Sequence, residues 1–168
     1  MKSTKLFMFG MLLLAVFAFS CSSDDDNIND DGDGDDVENY DIIVGNWRSP
    51  VVAPILESFT DSIHAEFKNN QTYLVKTYYD GAVSELSGVY ETMDGVGNIR
   101  MIKLEQSAPT TLTSEGIYKI EDGKMTYEVA QTEPAQEGVT APSPEGGFGS
   151  TSGGAFGEMN IQVYYKMD

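Results

Sequence analysis

GIYKIEDGKMTYEV, residues 116–129, reads as two strands folded back on each other. Met125, Tyr127 and Val129 alternate with Lys124, Thr126 and Glu128. That period of two belongs to a strand with one face on a core and the other in water. Between the runs stands Asp122-Gly123, a pair that accepts the positive φ angles of a two-residue type I′ hairpin turn. One such hairpin is a fragment; the same signature on both sides makes it part of a sheet.

Working outward, Ile63, Ala65 and Phe67 alternate with His64, Glu66 and Lys68. In the last run Met159, Ile161, Val163, Tyr165 and Met167 share one face, which reads as the buried one. Asp80-Gly81, Asn69-Asn70 and MDGVGN at 93–98 supply further turns. No window keeps apolar residues at helical spacing for long. Strands are expected at 43–52, 62–68, 71–79, 83–91, 99–105, 113–121, 124–131 and 159–167. Eight consecutive antiparallel strands with short connections point to an all-β fold, an eight-stranded up-and-down barrel without exposed edges. A two-sheet β-sandwich is the alternative that pattern leaves open.

The front of the chain is of another kind. Lys2 and Lys5 precede an apolar run from Leu6 to Phe19, too short to span a bilayer but suited to a secretory signal. Ala18 and Ser20 stand at the positions a signal peptidase reads, with Cys21 directly after. Residues 1–20 are thus expected to be a signal peptide, 21–40 an acidic disordered tether and 41–168 the barrel domain. Cys21 is the only cysteine, so no internal disulfide can form and the core alone must hold the fold. The tether, SSDDDNINDDGDGDDVEN, has almost no apolar content to offset ordering entropy.

From Asn27, oxygen-bearing side chains fall at loop positions 1, 3, 5, 7 and 9, with Gly32 at 6 and Glu38 at 12, the spacing of an EF-hand calcium loop. Asn at the first position, Gly34 at the eighth and the lack of flanking amphipathic helices favour loose counterion association instead. No cofactor or bound metal is expected.

The net charge of −17 argues against nucleic acid as a partner, and removing Lys2 and Lys5 with the leader makes the chain more negative still. His64 is the only histidine and is expected to point outward beside Glu66 and Lys68, with no serine placed for activation. No His/Cys/carboxylate cluster has zinc spacing. A non-enzymatic role is expected.

The segment EGGFGSTSGGAFG, 145–157, lies in a connection from about 132 to 158 that breaks the short-hairpin rule. It lacks the Lys-Ser/Thr ending of a phosphate loop, and Thr151 occupies the centre of what would be a nucleophile elbow. Phe148 and Phe156 are its two apolar hooks, either folding it over a barrel end as a lid or plug or pinning it to the surface.

Three sets of residues carry resemblances. Ala18-Phe19-Ser20-Cys21 resembles a bacterial lipobox, which implies cleavage before Cys21 and a lipid on its sulfur. Asp24, Asp25 and Asp26 look like the export signal of Bacteroidetes-type surface lipoproteins, implying an outer-membrane anchor with the domain exposed at the cell surface; otherwise it faces the periplasm. VGNW at 44–47 looks like the Gly-x-Trp signature of lipocalins, and FKNNQTYLV, SGVYE, GIYKIEDGKMTYEV and IQVYYKM are spaced like lipocalin-like domains of such lipoproteins. The resemblance makes Gly45 and Trp47 structural anchors, with Arg48, Arg100 or Lys166 crossing the indole.

A barrel of eight strands is just wide enough to be filled by side chains or to hold one small ligand. The expected lining is Phe67, Tyr73, Tyr79, Tyr90, Met101, Met125, Tyr127 and Ile161. A small apolar or amphipathic ligand is the leading expectation, and a packed interior serving a surface interaction module is the alternative. No protein partner is legible.

Overall fold

The computed structural model describes residues 43–168. The leader, Cys21, the aspartates behind it and the calcium-loop spacing lie outside the described residues.

Eight strands follow one another: β1 (Gly45–Ser49), β2 (Ser62–Phe67), β3 (Thr72–Tyr79), β4 (Ala82–Val96), β5 (Ile99–Ala108), β6 (Leu112–Glu121), β7 (Lys124–Glu133) and β8 (Gln162–Met167). Each pairs antiparallel with the next, and β8 pairs back onto β1 through Trp47 opposite Lys166. The sheet is a closed up-and-down barrel, not a sandwich. The turns work as their residues dictate: Asp80 and Gly81 have φ of 48° and 76°, Asp122 and Gly123 50° and 72°.

Register decides which face is inside. Met125 and Tyr127 on β7 are buried, and they stand opposite Tyr164 and Gln162 on β8. Tyr164 and Gln162 therefore point inward, while Met159, Tyr165 and Met167 are exposed. The period of two in the last run is real, but its apolar set is the outer face. Ile161, expected in the lining, precedes β8 and is half-buried. Met101 is likewise on the outer wall: it alternates with buried Ile102 and stands opposite Ile117. Tyr79 ends β3 beyond the closed part of the barrel and is 46% exposed. The MDGVGN turn is shorter than expected, because β4 runs on through a register shift to Val96 and only Gly97 and Asn98 turn.

The end of the barrel where β1 begins is shut by Trp47. Its indole is fully buried and its Nε1–H donates to the Ile43 carbonyl at 2.6 Å. Of the three candidate cations, Lys166 crosses it, with Nζ 5.4 Å from the ring centroid. Gly45 makes the crossing possible: its φ is 133°, and a Cβ there would stand 3.3 Å from Lys166 Cε. At the other end the β1–β2 connection, with a 3₁₀ turn at Pro54–Leu56, brings Val52 and Leu56 against the interior cluster. The connection that enters the core is this one, not the glycine-rich one.

Candidate functional site

The interior is aromatic and full. Phe67 meets Tyr90 edge-on at 5.1 Å, and Tyr127 meets Tyr164 in the same way at 5.7 Å. The phenols that need partners find them: Tyr90 donates to the Lys68 carbonyl at 2.9 Å and Tyr164 to Gln162 Oε1 at 2.5 Å. A void large enough for a ligand would leave its lining residues open to water. Phe67, Tyr73, Tyr90, Met125 and Tyr127 each keep 7% or less of their surface open. Five of the eight expected lining residues thus meet inside, and they meet one another. Tyr79, Met101 and Ile161 are not among them.

This packing has a titratable signature. Burial pushes the Tyr73 phenol up from 10.0 to about 12. Tyr164 is raised further by the same cause, and Tyr127 by burial and then by its neighbours Tyr164 and Tyr73. In an unfolded chain these phenols ionise near pH 10. Above that pH the folded barrel holds protons that the unfolded chain releases, so stability falls as pH rises. The contribution is complete below about pH 10 and is lost through about pH 12 and beyond. The phenolate absorbance of these three buried tyrosines is expected to appear only together with unfolding; its appearance while the barrel is still folded would mean an open interior.

The outer wall holds what the sequence did not disclose. Glu128 on β7 alternates with inward Tyr127, yet it is fully buried. The glycine-rich segment lies over it as a strap. The Gly149 N–H donates to Oε2 at 2.6 Å and the Thr151 N–H to Oε1 at 3.0 Å. The Thr151 hydroxyl donates to the same Oε1. Asn160 continues the network, donating from Nδ2 to Thr151 Oγ1 at 3.1 Å and to the Val129 carbonyl at 2.9 Å. The glycine-rich strap closes its donors on a carboxyl group, and that group belongs to the chain itself.

Glycine is required for that shape: Gly147 and Gly149 have φ of 67° and 88°. Ser150 Oγ donates to the Gly147 carbonyl at 2.6 Å, and the Ser152 N–H donates to the Thr140 carbonyl at 3.0 Å, so the strap is bonded within itself. Pro144 reaches β4, where a Cβ at Gly95 would stand 3.2 Å from its Cγ. Ile117, opposite Glu128, is sealed completely. Phe148 and Phe156 are half-buried and outside the interior cluster. They neither plug nor cover the barrel's interior.

No family model, curated protein or solved structure matches the chain.

The strap covers only part of the circumference. On the opposite wall β8, β1, β2 and β3 present their outward faces to solvent, His64 among them with its ring 5.0 Å from that of Tyr78. Two shallow concavities lie there. One of about 350 Å³ is lined by Asn46, His64, Glu66, Lys76 and Tyr78 among others. The other, of about 340 Å³, is lined by Arg48, Pro50, Tyr165, Lys166, Met167 and Asp168.

Proposed function

We propose that this chain is a lipid-anchored protein of the cell envelope whose barrel is a filled, non-enzymatic scaffold that binds through its outer surface. The observation that carries the reading is the closure of the interior around Trp47, Met125 and the tyrosines, with both ends stopped by the chain itself. A carrier of an internal ligand needs a cavity, whereas these side chains use the space on each other. The anchor rests on the lipobox resemblance at Ala18–Cys21 and on the acidic residues behind it, which suit display at the cell surface. The negative balance of the chain, −17 over its full length, favours solubility and turns away nucleic acid.

The anchor is tested by Cys21→Ser. That variant is expected to escape lipidation and to remain uncleaved by the lipoprotein peptidase, while the wild type fractionates with membranes. Normal processing of the variant together with a soluble wild type would remove the anchor. A small molecule that co-purifies in stoichiometric amount and sits inside the barrel would instead remove the filled scaffold.

A further inference from the structure

Register assembles a row of basic and aromatic side chains on the uncovered wall. Lys124 stands opposite Tyr165, Tyr165 opposite Arg48, Arg48 opposite His64 and His64 opposite Lys76. Elsewhere in the barrel the basic residues are neutralised locally: Lys68 by Glu66, Arg100 by Asp94, Lys103 by Glu105 and Lys119 by Glu121. Within the row Lys76 has Glu85 at 2.8 Å. Arg48 and Lys124, which flank Tyr165, have no ion-pair partner among the described residues.

Between those two cations Tyr165 is 51% exposed. Arg48 and Tyr165 share the 340 Å³ concavity with Asp168. We infer that this concavity binds an acidic sugar, a pyranose carrying a single carboxylate, at the end or side of a glycan. The inference rests on the reading of the barrel as a scaffold that binds through its surface.

Each part of such a ligand meets a matching group. The guanidinium of Arg48 offers paired donors to a carboxylate in the fork geometry that suits it. The exposed Tyr165 ring offers an aromatic surface to the C–H face of a pyranose, which an inorganic anion lacks. The Asp168 carboxylate accepts from sugar hydroxyls, a role it has no use for with a ligand that is all anion. The overall charge sets the other limit. A densely charged polymer is repelled by a chain of net charge −17, while an isolated carboxylate feels chiefly the groups within a Debye length of about 8 Å.

Saturation-transfer NMR on the detergent-solubilised full-length protein tests this, with methyl glucuronoside and methyl glucoside as probes. The two differ only at the carboxylate. Transfer to the ring protons of the glucuronoside is expected, with affinity about tenfold above the glucoside, the scale of one charge-assisted contact. Arg48→Gln should abolish that difference, and Tyr165→Ala should remove transfer to the ring. Lys103→Gln, on the far wall, should change neither. Equal affinity for the two sugars, no binding of either, or indifference to Arg48→Gln would overturn the inference. Those outcomes leave the filled scaffold untouched, because a molecule inside the barrel is detected by mass and does not depend on Arg48.

Discussion

Glu128→Ala is expected to destabilise the barrel by about 3 kcal/mol or more, because it strands several buried donors at once. The carboxylate accepts from the Gly149 and Thr151 amides and from the Thr151 hydroxyl. Alanine leaves those donors facing a methyl group in a place sealed from water, and a stranded buried donor costs about 1–3 kcal/mol. The strap can swing outward to recover water, but it then uncovers Ile117, which is fully buried beneath it. Glu128→Gln keeps the volume and one acceptor oxygen while turning an NH₂ toward a donor, so its loss should be smaller but well above the 0.5 kcal/mol of an ordinary surface change. Equilibrium urea unfolding checks both. If Glu128→Ala behaves like a surface substitution, the strap is not fastened as described.

Trp47→Ala should cost a similar 3–5 kcal/mol, the usual range for deleting a buried tryptophan. The indole is fully buried, donates to Ile43 and lies beneath Lys166. Against a total stability of about 5–15 kcal/mol for a domain, that loss brings the variant close to unfolding at ordinary temperature. Trp47→Phe retains much of the apolar area and forfeits the hydrogen bond and part of the cation contact, so it should lie between the variant and wild type. Trp47 is the sole tryptophan, which makes its emission an unambiguous reporter. A blue-shifted spectrum resistant to quenching is expected, and a red, fully quenchable one would mean that this end of the barrel stands open.

The hairpin at 116–129 shows how much could be read beforehand. Asp122-Gly123 and the alternation about it placed β6 and β7 and indicated that Met125 and Tyr127 face the core. The other turn residues and alternations gave the remaining strands, and their number favoured a closed barrel over the sandwich that pattern left open; the pairing of β8 with β1 decides it. Gly45 and Trp47 stood out for a different reason, the resemblance of VGNW to the Gly-x-Trp signature of lipocalins.

What escaped is long-range. Both faces of β8 are rich in large side chains, so alternation could not tell inside from outside; pairing of Tyr164 with Met125 does. Gln162 looked like a solvent residue because its partner, the Tyr164 hydroxyl, becomes available only once both point inward. Glu128 reads as an outward carboxylate on β7, and it is one. Its burial comes from a strap more than twenty residues further along, for which local pattern has no symbol. The glycines at 146–154 were read as a long loop carrying two apolar hooks and not as a cradle, because nothing in their spacing names a partner inside the chain.

The central claim is that the barrel is filled by its own side chains and works from its surface. Native mass spectrometry of the protein purified from its own cells tests this most directly. The account predicts the mass of the mature, lipidated chain with no stoichiometric small-molecule adduct. A single adduct retained through purification and released only when the barrel unfolds would contradict it.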